Sequence, residues 1–148
     1  MEGKPDSAEP VTKALVFRIG QECFGLPLDV VLEVLELASM SARVPGAPNW
    51  LAGIINHHGR VLPLIALGRL FDVDTAARAL QVILVEFEGE RLGLLVDQIV
   101  ALEALSSDEA GRSGMRRAWH RGELVTLLAP TEILAAVDRQ LVQTSGRA

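Results

Sequence analysis

The chain has 148 residues, 49% of them hydrophobic and 22% charged. That balance supports the packed core of one domain or of two very small barrels, and it excludes an intrinsically disordered chain. Fourteen Lys plus Arg against nineteen Asp plus Glu leave a net charge of −5, the wrong sign for gathering phosphates, so nucleic acid is not an expected partner. No apolar run approaches the roughly 18–20 residues of a membrane span, and the start, Met1-Glu2-Gly3-Lys4-Pro5-Asp6, lacks the basic and apolar regions of a signal peptide. A cytoplasmic protein without direct membrane insertion is expected.

Residues 1–12 are rich in Pro, Glu, Asp, Ser and Lys and read as a flexible tail, as do residues 143–148. The folded part is expected over 13–142, as short strands separated by Gly, Pro and Asp. Leu15-Val16-Phe17-Arg18-Ile19 and Cys23-Phe24-Gly25-Leu26-Pro27-Leu28 flank Gly20-Gln21-Glu22, which predicts a hairpin turning at Gly20. Cys23, the single cysteine, cannot form an internal disulfide, and its apolar setting predicts a buried, inert thiol. Asp29 to Leu35 opens on a residue able to cap free amides and so suggests a helix. Its Val30, Val31 and Val34 equally suit a strand.

The hairpin pattern returns as Ile83-Leu84-Val85-Glu86-Phe87, the turn Glu88-Gly89-Glu90, and Arg91-Leu92-Gly93-Leu94-Leu95-Val96, an offset of 68 that carries Leu15 to Ile83, Gly25 to Gly93 and Asp29 to Asp97. A weaker echo at offset 63 aligns Gly59–Ala66 with Gly122–Ala129. Two similar halves follow, each a strongly curved sheet of about five strands, too small to bury its apolar face alone, so the two must pack together. Gly25 and Gly93 fit sites where a curving strand needs space or a bulge. From Pro130 to Leu141, apolar positions 133, 134, 137 and 141 share one face behind a proline tolerated at a helix start, which predicts a C-terminal helix.

No reactive constellation emerges. Asn56-His57-His58-Gly59 contains adjacent histidines, but neighbours on an extended strand point to opposite faces, and neither His120 nor Cys23 has metal-site spacing to them. Surface or packing histidines, with no metal and no cofactor, are expected. A Gly-x-Ser-x-Gly elbow, a Gly-x-Gly-x-x-Gly fingerprint and a Walker-type loop are all missing. Glu86, Glu88 and Glu90 alternate like the solvent face of a strand and do not read, with Asp97, as an acid/base pair. Arg112, Arg116, Arg117 and Arg121 form a basic cluster that fits either steering of an acidic partner or a solvated loop and strand edge. A protein without catalytic machinery, built of curved strands with glycines and prolines at fixed places, reads as a binder of other proteins and not as an enzyme.

From about Ala14 to about Leu141 the chain resembles the CheW-like domain of bacterial chemotaxis coupling proteins. The most specific stretch is Val44-Pro45-Gly46-Ala47-Pro48-Asn49-Trp50-Leu51-Ala52-Gly53-Ile54-Ile55-Asn56-His57-His58-Gly59-Arg60-Val61-Leu62-Pro63-Leu64-Ile65. It is similar to the family's Pro-containing turn, its Gly-apolar-apolar-Asn element, a Gly, and a strand ending in Pro and apolar residues. Val31-Leu32-Glu33-Val34 and Gly93-Leu94-Leu95-Val96-Asp97-Gln98-Ile99 are similar to two further family segments.

The resemblance implies a mainly β fold of two pseudo-repeated, five-stranded SH3-like barrels, interlocked and packed together, with a C-terminal helix. It implies a non-enzymatic chemosensory adaptor joining the cytoplasmic tip of a methyl-accepting chemoreceptor to the regulatory domain of a histidine autokinase, itself a double barrel, with ring or array assembly at the membrane. Where the family has Asn-Leu-Arg-Gly this chain has Asn56-His57-His58-Gly59, and where it continues Asp-Leu-Arg this chain has Ala66-Leu67-Gly68. An always-charged contact residue is thereby replaced by one with fewer donors, which marks a divergent member. The partner-binding residues carried over are Asn56, His58, Gly59, Pro63, Val96 and Asp97. Gly59 and Pro63 also suit backbone geometry alone, and Asn56 the satisfaction of turn amides. The alternative function is a double barrel that binds a small ligand or a different protein in the cleft between halves.

Overall fold

The computed structural model describes residues 11–37, 41–42, 44–74, 81–106 and 116–146. The expected terminal tails therefore lie largely outside the described residues, but two limits move: the first strand begins at Val11 and the last helix runs to Gly146, five residues past Leu141.

The first hairpin pairs β1 (Val11–Ile19) with β2 (Glu22–Pro27), and the register Ile19↔Glu22 leaves Gly20-Gln21 as the turn, Gly20 at φ 61°. One turn of 3-10 helix, Leu28–Val30, leads into β3 (Val31–Glu36). Of the two readings of this segment, the strand holds. Asp29 lies inside the short turn, which has no side-chain cap, and the β-branched Val31 and Val34 continue extended. Next come the two-residue β4 (Ser41–Ala42), the hairpin of β5 (Leu51–His57) and β6 (Arg60–Ala66), and the single-turn helix α1 (Leu67–Leu70).

The second half repeats the plan with the hairpin β7 (Gln81–Phe87) and β8 (Glu90–Val96), then β9 (Gln98–Ser106), the hairpin β10 (Arg116–His120) and β11 (Glu123–Leu127), and α2 (Pro130–Gly146). The helix starts where the sequence predicts because Pro130 needs no amide partner there. The Glu132 carboxylate also reaches back to accept from the Ala129 amide at 2.7 Å.

The two sequence halves are not the two sheets. One sheet has the order β10-β11-β2-β1-β9 and the other β3-β7-β8-β6-β5-β4, so each half lends its leading hairpin to the sheet built by the other. The joints match: β2 runs parallel to β11 (Val125↔Cys23 to Leu127↔Gly25), and β8 runs parallel to β6 (Leu64↔Gly93 to Ala66↔Leu95). Five strands form the first sheet, and five plus the short β4 form the second, as the mainly β, double-barrel expectation required.

Exchange of hairpins explains the composition of their strands. Ala14 and Val16 on β1 join Cys23, Ala118, Val125 and Leu127 inside one barrel, while Leu15, Phe17 and Ile19 face the core between the barrels. On β7, Val82 and Leu84 fill the other barrel with Ile55 and Leu64, while Ile83 and Val85 face the same central core. Strands covered on both faces read as continuous apolar runs, not as alternation. Ile133 and Ala136 of α2 seal that central core. Cys23 is buried as expected, and burial pushes its thiol pKa up.

Gly25 and Gly93 stand at equivalent points of the two parallel joints. A Cβ on Gly25 would lie 2.9 Å from Leu127 Cδ2, and one on Gly93 would lie 3.0, 3.1 and 3.2 Å from Ile55, Val82 and Leu64. At both glycines the strands approach closely enough that an added Cβ makes neighbouring side chains shift. Gly25→Ala and Gly93→Ala should each cost about 1–3 kcal/mol, read as a lower urea midpoint with unchanged slope.

Candidate protein-interaction site

Three of the hairpins share one local plan. Phe87↔Glu90, His57↔Arg60 and His120↔Glu123 close two-residue turns, Glu88-Gly89, His58-Gly59 and Arg121-Gly122. In each, both turn residues have positive φ: 53° then 79°, 53° then 83°, and 53° then 79°. This is the pattern of a type I′ turn, whose twist matches that of the flanking strands and which needs Gly at its second position. Glu88 is thus a turn residue and does not continue a strand alternation. Glu86 on β7 instead pairs with Arg91 across the hairpin at 3.2 Å.

Four of the six sequence-predicted site residues belong to the β5–β6 hairpin. Asn56 is exposed and its Oδ1 accepts from the Gly59 amide at 3.0 Å, bracing the turn; His58 and Gly59 form its exposed tip. Pro63 is half-buried opposite Ile54, and the parallel joint with β8 begins one residue later at Leu64, so its missing amide interrupts no ladder.

Val96 and Asp97 lie elsewhere. They follow Leu95, the partner of Ala66, at the other end of β6 and about 20 Å along it from the His58 turn, at roughly 3.3 Å per residue. Val96 is 1% exposed and Asp97 6%. The Asp97 carboxylate accepts from the Gly20 amide at 2.7 Å, and its own amide donates to the Arg18 carbonyl at 3.1 Å, clamping the first hairpin to the β8–β9 corner.

The histidine pair departs from the sequence expectation. His58 is not on an extended strand. Its positive φ brings its ring against that of His57, with centroids 4.2 Å apart, and His57 Nε2 lies 2.9 Å from Glu33 Oε1.

Sequence reasoning passed over Trp119. On β10, Arg117 and Trp119 are exposed while Ala118 and His120 are buried, a period-2 alternation that marks an outer face, and Arg121 is exposed in the turn that follows. Trp119 is 63% exposed and sits opposite the exposed Leu124. Among the described residues, the arginine cluster thus brackets an aromatic side chain of the type that anchors protein interfaces. Beside it, Arg18 on β1 reaches over β2 to grip Glu123 through two hydrogen bonds of 2.8 and 2.6 Å. That contact holds the Glu123 carboxyl below its ordinary range.

An open groove of about 640 Å³ runs under the loop Val44–Asn49, bordered by Leu51, Ala52, Ala66, Arg69 and Leu95. It lies against one barrel and not in the cleft between the two. No helix among the described residues is long and apolar enough to cross a membrane.

The family model for the CheW-like domain matches residues 13–138. The chain belongs to the CheW-like domain family. It is 27% identical over 145 residues to the chemotaxis protein CheW of Helicobacter pylori, covering 88% of this chain and 86% of that one. It is 31% identical over 147 residues to the chemotaxis protein CheA of Salmonella typhimurium, where 88% of this chain corresponds to 21% of that protein. The crystal structure of the scaffolding protein TtCheW from Thermoanaerobacter tengcongensis superposes with a TM-score of 0.70 at 23% identity, over 78% of this chain and 87% of that one. The interlocked double barrel is therefore the CheW fold.

A carboxyl whose pKa is lowered by folding stabilises the fold above its unfolded pKa, and that gain disappears as pH falls through the folded value. Glu123→Gln should therefore melt below the unsubstituted chain at pH 7. The gap should close as pH drops from the ordinary value of 4.5 through the lowered one, followed by thermal melts across pH 3–7.

Proposed function

We propose that this protein is a cytoplasmic, non-enzymatic adaptor that couples the tip of a chemoreceptor to the regulatory domain of a histidine autokinase, as a divergent CheW-like scaffold able to enter ring or array assemblies. The observation that carries this reading is the family match over residues 13–138. The alignment with one fifth of a CheA protein supports a kinase partner that bears the same double barrel. Barrel-to-barrel contact between two such domains builds closed rings when the rotation closes.

The outer face of Arg117, Trp119 and Leu124, with Arg121 in the adjoining turn, supplies an aromatic anchor with a cationic rim for such a contact. The hairpin tip of Asn56, His58 and Gly59 supplies a polar surface for the second partner, with Pro63 half-buried further along β6. Val96 and Asp97 hold the β8–β9 corner at the other end of β6. On this reading binding is the whole mechanism: receptor state reaches the kinase only through packed contacts that differ between states.

Calorimetric titration with the regulatory domain of each histidine autokinase of the same genome tests the assignment. Micromolar binding to one of them is expected, and absence of binding to all by the folded protein overturns it. Trp119→Ala should weaken that binding at least tenfold, about 1.4 kcal/mol or more. Because the side chain is largely solvent-exposed, the melting temperature should move by less than about 2 °C.

His58→Arg tests the second surface. Arg121 already occupies the equivalent turn position at the same φ of 53°, so the substitution should fold normally and change receptor affinity. A large loss of stability instead would make the residue structural.

A further inference from the structure

In the barrel containing β3 and β5, the sheet order places these strands toward opposite edges. The 2.9 Å contact of Glu33 on β3 with His57 on β5 shows that the sheet curls until its edges meet. His58, turned back by its positive φ, completes a group of three in which one ligand atom from each residue lies within 4.8 Å of the others. We propose that Glu33, His57 and His58 form a binding site for a divalent transition-metal ion of the Zn²⁺ or Ni²⁺ class, placed across the seam of this barrel.

Two imidazoles and a carboxylate are the donors such ions prefer, and three protein ligands leave one coordination position open. Tetrahedral coordination needs ligand atoms about 3.3 Å apart. Glu33 and His58 are both exposed, so rotation of their side chains can close the remaining distance without moving the barrel. His57, half-buried, supplies the fixed ligand.

The second barrel gives an internal comparison. At the repeat offsets of 68 and 63, Glu33, His57 and His58 correspond to Ala101, His120 and Arg121. Strands β9 and β10 meet there and the same turn forms, with no carboxylate at the position of Glu33 and no imidazole at that of His58. The backbone plan therefore does not demand the three donors, and their convergence in one barrel needs another account. An ion bound there would tie the edge strand β3 to the β5–β6 tip.

The test is calorimetric titration of the full chain with Zn²⁺ and, separately, Ni²⁺ in a non-chelating buffer at pH 7.5. One ion per chain is expected, with a Kd on the order of 10 μM. His58→Arg and Glu33→Ala should each weaken uptake at least about tenfold, while Cys23→Ser leaves it unchanged. Histidine ring resonances locate the ion independently: those of His57 and His58 should shift and those of His120 should not. Lack of saturable uptake up to about 1 mM, uptake undiminished in both His58→Arg and Glu33→Ala, or a shift confined to His120 each overturns the proposal. Circular dichroism shows that each variant is folded, and Arg121 shows that the turn accepts arginine.

Discussion

The structure turns on two parallel strand pairs, β2 with β11 and β8 with β6, through which each half of the chain gives its leading hairpin to the other. Parallel partners cannot be joined by a tight turn, so each joint is closed only after the intervening chain has crossed between barrels. The glycines at these joints are the smallest expression of that constraint. At Gly25 and Gly93 the neighbouring strand side chains come so near that no Cβ fits without displacing them. Neither barrel keeps a complete sheet when the other is removed, and the central core of Phe17, Ile83, Leu94 and Ile133 is drawn from both halves. Stability and the relative placement of the two barrels are therefore one property of the molecule.

Much of this was legible in residue order. The apolar runs, the glycine-centred turns and the offset of 68 specify paired hairpins and a repeated design, because strand burial and turn chemistry are local and write themselves into short spacings. The exchange of hairpins is a different kind of fact. A repeat states that two segments adopt the same conformation, and the same repeat is compatible with two self-contained sheets or with two swapped ones. Only long-range pairing separates these, and it leaves no periodic signature. The segment from Asp29 shows the limit at short range. A capping aspartate and β-branched valines pulled in opposite directions, and the extended conformation prevailed once Val31 found Val85 as a cross-strand partner.

The candidate surfaces divide along the same line. The exposure of Asn56, His58 and Gly59 at a hairpin tip agrees with their place in the motif, while the placement of Val96 and Asp97 in the interior was not legible there, since a motif records adjacency in sequence and says nothing of which side of a corner faces water. The histidine pair misled for a physical reason. Alternation of faces holds on extended strands, and His58 occupies a left-handed turn position where it fails. Trp119 carried a usable signal in the alternation of Arg117 and Trp119 against Ala118 and His120, but reading it requires knowing that β10 ends at His120 in the same two-residue turn as β5.

That shared turn explains how one backbone plan yields two different surfaces. The β5–β6 and β10–β11 hairpins have matching registers and nearly identical turn dihedrals, so neither tip is free to vary in shape. What varies is chemistry. One tip carries Asn56, His58 and Val61, and the other Trp119, Arg121 and Leu124 at the equivalent places. A pseudo-symmetric protein with identical tips would present the same surface twice and would favour one partner at two sites. Divergence of three side chains on a fixed frame instead gives two faces of different polarity, set on two barrels whose relative position the exchanged hairpins hold rigid. That separation is what the proposed adaptor role would use: two partners distinguished by chemistry and kept at a constant distance by the fold.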